Sequence, residues 1–285
     1  MKKEMENNEI FLGENEKIAA YSYVVENPKE TIILIHGIGE HAGRYRRVVR
    51  QFNKEGFSVF AMDLKGHGKS KGVRGHCAPR KEILQDIDCL FEYVKKMYPQ
   101  TNPVIYGHSM GGNIVTDYRY RGKYSDQFKG YVISAPWIKL TRKIPLYQNI
   151  GLRIISKIKP DFQINSAVDG DGSDNKGQNS ANKKDPLLHG FASAQLAVEG
   201  HKVGKALYKG TYPVIGNGRT VPMLLMHGDA DRICHIDGSR ALAKHEGEIC
   251  TYKEWEGCPH ALHRTGDGGR GREVIAYVIS WIEKL

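Results

Sequence analysis

The pentapeptide Gly107-His108-Ser109-Met110-Gly111 constrains this chain more than any other stretch. It follows a short apolar run, Pro103-Val104-Ile105-Tyr106, and precedes a helix-like stretch from Gly112 to Arg121. A G-x-S-x-G pattern in that setting meets the requirements of a strand-to-helix nucleophile elbow. The tight turn would hold the serine backbone under strain, and the glycines would let neighbouring chain pass where a Cβ would clash. Ser109 is therefore the candidate nucleophile.

Apolar runs of strand length recur along the 285 residues, at Thr31 to Ile35, Phe57 to Met62, Pro103 to Tyr106, Gly130 to Ser134, Pro222 to Met226 and Glu248 to Glu254. An earlier strand pair is expected within Phe11 to Val25. Between the runs, Tyr45 to Lys54, Arg80 to Met97, Gly112 to Arg121, His235 to His245 and Arg272 to Lys284 carry apolar residues at helical spacing. Such alternation predicts an α/β fold, a mainly parallel central sheet with helices on both faces, as one domain over residues 1–285.

The alternation breaks after Trp137, and no comparable strand is expected before about Tyr212. Residues 137–212 therefore read as a cap inserted into the sheet domain. Its first part, Ile144 to Ile158, mixes clustered aliphatics with Arg153, Lys157 and Lys159, which suits an amphipathic helix over an apolar tunnel or at a bilayer interface. There the aliphatic side chains, Leu152 and Ile155 among them, would dip into lipid while the cations stay near head groups. From Asp169 to Lys184 almost nothing is apolar, so a mobile loop is expected. Its Asp169-x-Asp171-x-Ser173 start resembles a calcium loop, but Asp174 stands where glycine is needed and Ser180 where a bidentate glutamate belongs. No metal site is expected.

The formal net charge is +10, yet the lysines and arginines are spread along the chain and no nucleic-acid module accompanies them. Anionic lipid surfaces or acidic substrates are the partners this charge suggests, rather than nucleic acid. Five cysteines without a C-x-x-C pair suggest free thiols, neither a disulfide framework nor a zinc knuckle. The charged N-terminus lacks a secretory apolar core and no run has spanning length, so the expectation is a cytoplasmic or peripheral membrane protein.

A serine hydroxyl needs a histidine to take its proton and a carboxylate to orient that histidine. After the run Pro222 to Met226 comes His227-Gly228-Asp229-Ala230-Asp231-Arg232, two carboxylates at a strand's C-terminal end. After Glu248 to Glu254 comes Gly257-Cys258-Pro259-His260-Ala261-Leu262-His263, where either histidine could be the base. Near the front, Ile33-Leu34-Ile35-His36-Gly37-Ile38-Gly39-Glu40-His41 runs from a strand into a glycine-rich turn. The turn supplies an oxyanion donor, and the Ile38 and Met110 amides are the chosen pair. A phosphate-loop reading of this turn fits poorly, since no Gly-Lys-Ser/Thr follows.

Several motifs in register carry a family resemblance. His36-Gly37-Ile38-Gly39-Glu40-His41-Ala42-Gly43-Arg44-Tyr45, Asp63-Leu64-Lys65-Gly66-His67-Gly68-Lys69-Ser70-Lys71-Gly72, Gly107 to Gly112, Asp185-Pro186-Leu187, His227 to Arg232 and His260-Ala261-Leu262-His263 span nearly the whole chain. Together they resemble the monoacylglycerol lipase and lysophospholipase group of α/β-hydrolases. The resemblance implies Ser109 as nucleophile, Asp231 rather than Asp229 as acid, and His260 as base, with the Ile38 and Met110 amides as oxyanion hole. It also implies glycerol contacts from Glu40, Arg44 and His263, and places a cysteine, Cys234, near the site.

The expected activity is that of a serine carboxylester hydrolase releasing fatty acid and glycerol from a monoacylglycerol through an acyl-enzyme, with no cofactor. A lysophospholipase, a short-chain carboxylesterase and a catalytically silent binding protein on the same fold are the alternatives. Serine at position 109 argues against the dehalogenases and epoxide hydrolases of this fold, which use aspartate. The cap departs from the family pattern at Asp169 to Lys184 and at Glu199-Gly200-His201-Lys202, so substrate choice is the least constrained feature.

Overall fold

The computed structural model describes residues 8–13, 17–142, 144–166, 185–264 and 270–285. The Asp169 to Lys184 segment, expected above to be a mobile loop, lies outside them. The first half contains strands β1 (Asn8–Leu12), β2 (Ile18–Tyr23), β3 (Glu30–Ile35), β4 (Phe57–Met62) and β5 (Val104–His108), with helices α1 (Arg46–Lys54), α2 (Arg80–Met97) and α3 (Met110–Arg121). The second half holds β6 (Gly130–Ser134), α4 (Leu146–Ile158), β7 (Gln163–Asn165), β8 (Phe191–Ser193), α5 (Ala194–Lys209), β9 (Met223–Gly228), α6 (Asp237–Glu246), β10 (Cys250–Trp255) and α7 (Arg270–Ile282).

Eight strands form one sheet in the order β1-β2-β4-β3-β5-β6-β9-β10. Only the pairings of β2 with β1 and with β4 are antiparallel. The central strands are buried on both faces, which is why they read as continuous apolar runs rather than alternating ones. In β3, Ile33 and Ile35 pack with α2 and α3 on one side, while Ile32 and Leu34 pack with α1 and α7 on the other. This is the α/β-hydrolase architecture the sequence predicts.

Between β6 and β9 the chain leaves the sheet for α4, a small antiparallel pair β7-β8, and α5. The sequence predicts no strand here, yet two three-residue strands are present. Among the described residues they pair only with each other, a contact too short to give a periodic signal. Helix α5 was also unforeseen, although its ends are marked. The Ser193 side chain accepts from the Leu196 amide at 3.2 Å, and Gly210 closes the helix in a left-handed conformation.

Helix α4 inverts the usual amphipathic arrangement. None of its residues is fully buried, and Leu146 (76% exposed), Tyr147, Ile150, Ile154 and Ile158 (79%) form an apolar stripe facing solvent. Leu152 and Ile155, expected to be the lipid-inserting residues, are half-buried, and Leu152 lines an internal cavity instead. Among the described residues no helix is long and apolar enough to cross a membrane.

Two glycines test the fold directly. A Cβ on Gly111 would lie 2.3 Å from the Ile35 carbonyl oxygen and 2.5 Å from that of His36, whereas one on Gly151 in α4 would meet nothing within 4 Å. Gly111→Ala should therefore destabilise by about 1–3 kcal/mol or more. Gly151→Ala should stabilise by about 0.5–1 kcal/mol through helix propensity. Chemical denaturation of the two variants checks both signs.

Candidate active site

Ser109 stands at the junction of β5 and α3 with φ 56° and ψ −116°, a backbone conformation that non-glycine residues rarely adopt. The neighbours that enforce it are close. A Cβ on Gly107 would lie 2.5 Å from the Gly111 carbonyl oxygen, so the turn closes only with glycine there. The Ser109 amide donates to the Ser134 carbonyl at 3.0 Å, and its carbonyl accepts from the Trp137 amide at 3.0 Å. The elbow is thus tied to the end of β6 and to the start of the insertion.

Ser109 Oγ lies 2.8 Å from His260 Nε2, and His260 Nδ1 lies 2.6 Å from Asp231 Oδ2. With Nδ1 donating to the carboxylate, Nε2 is free to accept the serine proton. Asp231 Oδ1 accepts from the Ile233 amide at 2.8 Å and the Cys234 amide at 2.9 Å. Burial alone would raise the Asp231 pKa, but His260 and His227 more than offset it and hold the carboxyl well below the usual range. Asp229 is exposed two residues earlier, where it accepts from the Gly257 amide at 2.6 Å.

His227 is a partner that sequence reasoning gave no role. It is fully buried, its Nε2 is 3.1 Å from Asp231 Oδ2, and its Nδ1 is 2.7 Å from Ser239 Oγ. Its position at the end of β9, four residues before Asp231, was the available signal. Cys234 is also near the site, with its amide donating to Asp231 Oδ1 and its thiol buried. Burial, with the Asp231 charge, pushes that thiol pKa well up, which disfavours the reactive thiolate.

The loop after β3 lies against the elbow, and a Cβ on Gly37 would come within 3.4 Å of the Ser109 Cβ. His36 fixes this loop, with Nδ1 2.7 Å from the Gly37 carbonyl and Nε2 accepting from the Leu64 amide at 2.9 Å. Asp63 is buried and accepts from the Ala42 amide (2.7 Å), the Tyr21 hydroxyl (2.8 Å) and the Lys69 amide (2.9 Å). His41 Nε2 reaches Asp185 Oδ2 at 2.9 Å, linking the same loop to the insertion. Ile38 lines the cavity, and Met110 is fully buried at the first position of α3.

Glu40, Arg44 and His263 are brought together with two residues the sequence did not single out, Tyr45 and Arg264. Glu40 accepts from the Gly37 amide at 3.2 Å and the Tyr45 hydroxyl at 3.0 Å, pairs with Arg264, and lies 3.7 Å from Arg44 Nε. Burial would raise the Glu40 carboxyl, yet the Arg264 guanidinium above all, with Arg44, holds it well below its ordinary value. His263 stacks on Tyr45 with ring centroids 4.7 Å apart and meets His108 edge-on at 4.9 Å. Burial, with help from His108 and Arg264, pushes the His263 pKa well down, and neither ring nitrogen has a hydrogen-bond partner among the described residues. The same burial, with the His260 charge, brings His108 down to about 3.

A cavity of about 790 Å³ opens between the insertion and the sheet. Its apolar lining comes from Ile38, Trp137, Leu140, Ile164, Val198 and Ile233, while Arg142, Arg153, Lys157, Lys202 and Arg232 also line it.

Residues 26–267 match the protein family described as "Serine aminopeptidase, S33". The chain belongs to this family. As a member of the serine aminopeptidase family with an α/β-hydrolase fold, it is a serine hydrolase. It is 29% identical over 262 residues to a monoacylglycerol lipase of Mycolicibacterium smegmatis, covering 90% of this chain and 89% of that protein. The human monoglyceride lipase is 29% identical over 246 residues, 83% of this chain and 77% of the relative. Among solved structures, the Paleococcus ferrophilus monoacylglycerol lipase superposes with a TM-score of 0.80 at 28% identity, covering 93% of this chain and 98% of the other.

The Glu40 cluster sets an acid limit on stability. A carboxyl whose folded pKa is depressed contributes stability that is fully present above its unfolded value, near 4.5, and is lost as pH falls through the lower folded value. Glu40→Gln removes the carboxylate that faces Arg264 and should cost about 3 kcal/mol at pH 7. The variant should also show a shallower stability loss below pH 4.5 than the parent, measured by urea denaturation across pH.

Proposed function

We propose that this chain is a monoacylglycerol lipase. The observation that carries the reading is the continuous line from Ser109 Oγ through His260 to the buried Asp231, beside a largely apolar cavity. Ser109 attacks the ester carbonyl as His260 Nε2 takes its proton, and the Ile38 and Met110 amides receive the developing oxyanion. Collapse returns the proton to the glycerol oxygen and leaves the acyl group on Ser109. Water, deprotonated by His260, then repeats the sequence and releases the fatty acid.

On the alcohol side, Glu40, Arg44 and His263 bind the glycerol hydroxyls. Support comes from His263, a neutral buried imidazole with one donor and one acceptor nitrogen that lack partners among the described residues. A hydroxyl, itself donor and acceptor, satisfies such a ring. On the acyl side, residues 137–212 act as a cap whose inner wall includes Trp137, Leu152, Ile164 and Val198. The exposed stripe Ile150, Ile154 and Ile158 makes peripheral contact with lipid assemblies.

A fluorophosphonate probe should label the parent and miss Ser109→Ala, whose monoacylglycerol hydrolysis should fall by about four to six orders of magnitude. Asp231→Asn should lower kcat by about 10⁴-fold, and Asp229→Asn should leave it within a few-fold. Persistent labelling of Ser109→Ala, or equal effects of the two aspartate variants, contradicts the assignment.

Serine at positions 150, 154 and 158 should each remove up to about 1.5–3 kcal/mol of insertion energy. Vesicle flotation should show weakened binding, and long-chain monoacylglycerol turnover should fall more than turnover of a soluble butyrate ester. Thermal stability should be unchanged, since these side chains are already exposed.

A further inference from the structure

A neutral monoacylglycerol makes no use of the cavity's charge. Five cationic side chains line it, Arg142, Arg153, Lys157, Lys202 and Arg232, and no carboxylate joins them among the described residues. They converge from the linker before α4, from α4 itself, from α5 and from the loop after β9. None of the five forms an ion pair with a described residue, and all are exposed at the rim. On α4 the cavity face repeats at helical spacing through Gln148, Asn149, Leu152, Arg153, Ser156 and Lys157, so with Leu152 the polar groups face the cavity while Leu146, Ile150, Ile154 and Ile158 face solvent.

An apolar slot with a cationic rim is complementary to a single alkyl chain ending in an anionic head. We propose that this cavity is a binding site for the free fatty acid anion. The alkyl chain lies along Ile38, Trp137, Leu140 and Val198, and the carboxylate sits among Arg153, Lys157 and Lys202. Given the monoacylglycerol lipase reading, on which the identity of this ligand rests, the anion is the enzyme's own product. It occupies the cavity head outward and blocks the next substrate, so accumulating product slows turnover by competition. The rim discriminates product from substrate because hydrolysis converts a neutral ester into a carboxylate.

The test is displacement of a fluorescent alkyl probe from the Ser109→Ala protein by dodecanoate, dodecanol and dodecyl phosphate. Dodecanoate should bind about tenfold or more tightly than dodecanol, the advantage of an ion pair partly removed from water. That advantage should vanish in the Arg153→Gln/Lys157→Gln variant and shrink between low and high salt, while dodecanol affinity stays the same. Equal binding of dodecanoate and dodecanol, or an advantage indifferent to the substitutions, overturns the proposal. Rim-dependent binding of dodecyl phosphate far above dodecanoate assigns the site to a phosphate head and overturns the product assignment. Loss of binding to phosphatidylglycerol vesicles with dodecanoate affinity unchanged gives the cations to a bilayer, and also overturns it. Charge-dependent dodecanoate binding by a protein that does not hydrolyse monoacylglycerol would leave the anion site standing and remove the proposed function.

Discussion

The close approach of Gly111 to the Ile35 and His36 carbonyls is the contact on which the site depends. It seats the start of α3 against the end of β3, with no room for a Cβ. Ser109 is thereby held at positive φ, and the Gly37–Ile38 backbone is brought to its side. The strain of that turn is offset by the packed parallel sheet on either flank, where β5 and β6 are buried throughout and β3 everywhere beyond Glu30. A strained residue persists only where its surroundings over-determine it, and here two glycines, two backbone hydrogen bonds and three strands do so.

Around that turn, buried charge is organised in compensated groups. Asp231 faces two histidines and two backbone amides, and Glu40 faces two arginines, a tyrosine and an amide. Each carboxylate stays ionised despite burial because its partners outweigh desolvation. Two other histidines beside the site respond differently. Burial depresses the pKa values of His108 and His263, which keeps both imidazoles neutral near neutral pH.

Much of this was legible in the sequence for a physical reason. Central strands buried on both faces must be continuously apolar, so five of them were readable within a residue or two, and β10, an edge strand of alternating exposure, was placed nearly as well; the elbow and its downstream loops fall at the C-terminal ends of these strands. The order Ser109, Asp231, His260 followed from that placement, with the family resemblance separating Asp231 from Asp229 and His260 from His263. The insertion was harder. Helix α5 packs through Gly200 and Gly204 against Trp137 and Ile138, and glycines carry no hydrophobic signal. Periodicity identified α4 as amphipathic but could not say which face turns outward, because that depends on α5 opposite it. The Glu40 and Arg264 pairing joins residues 224 positions apart, and His227 touches Asp231 only because β9 ends where it does.

The central claim is that Ser109, so held, carries the acyl group during turnover. Acid-quenched enzyme taken during hydrolysis of a monoacylglycerol, digested and analysed by mass spectrometry, tests it most directly. The acyl group should be found as an ester on the peptide containing Ser109. An acyl group found on any other residue would contradict it.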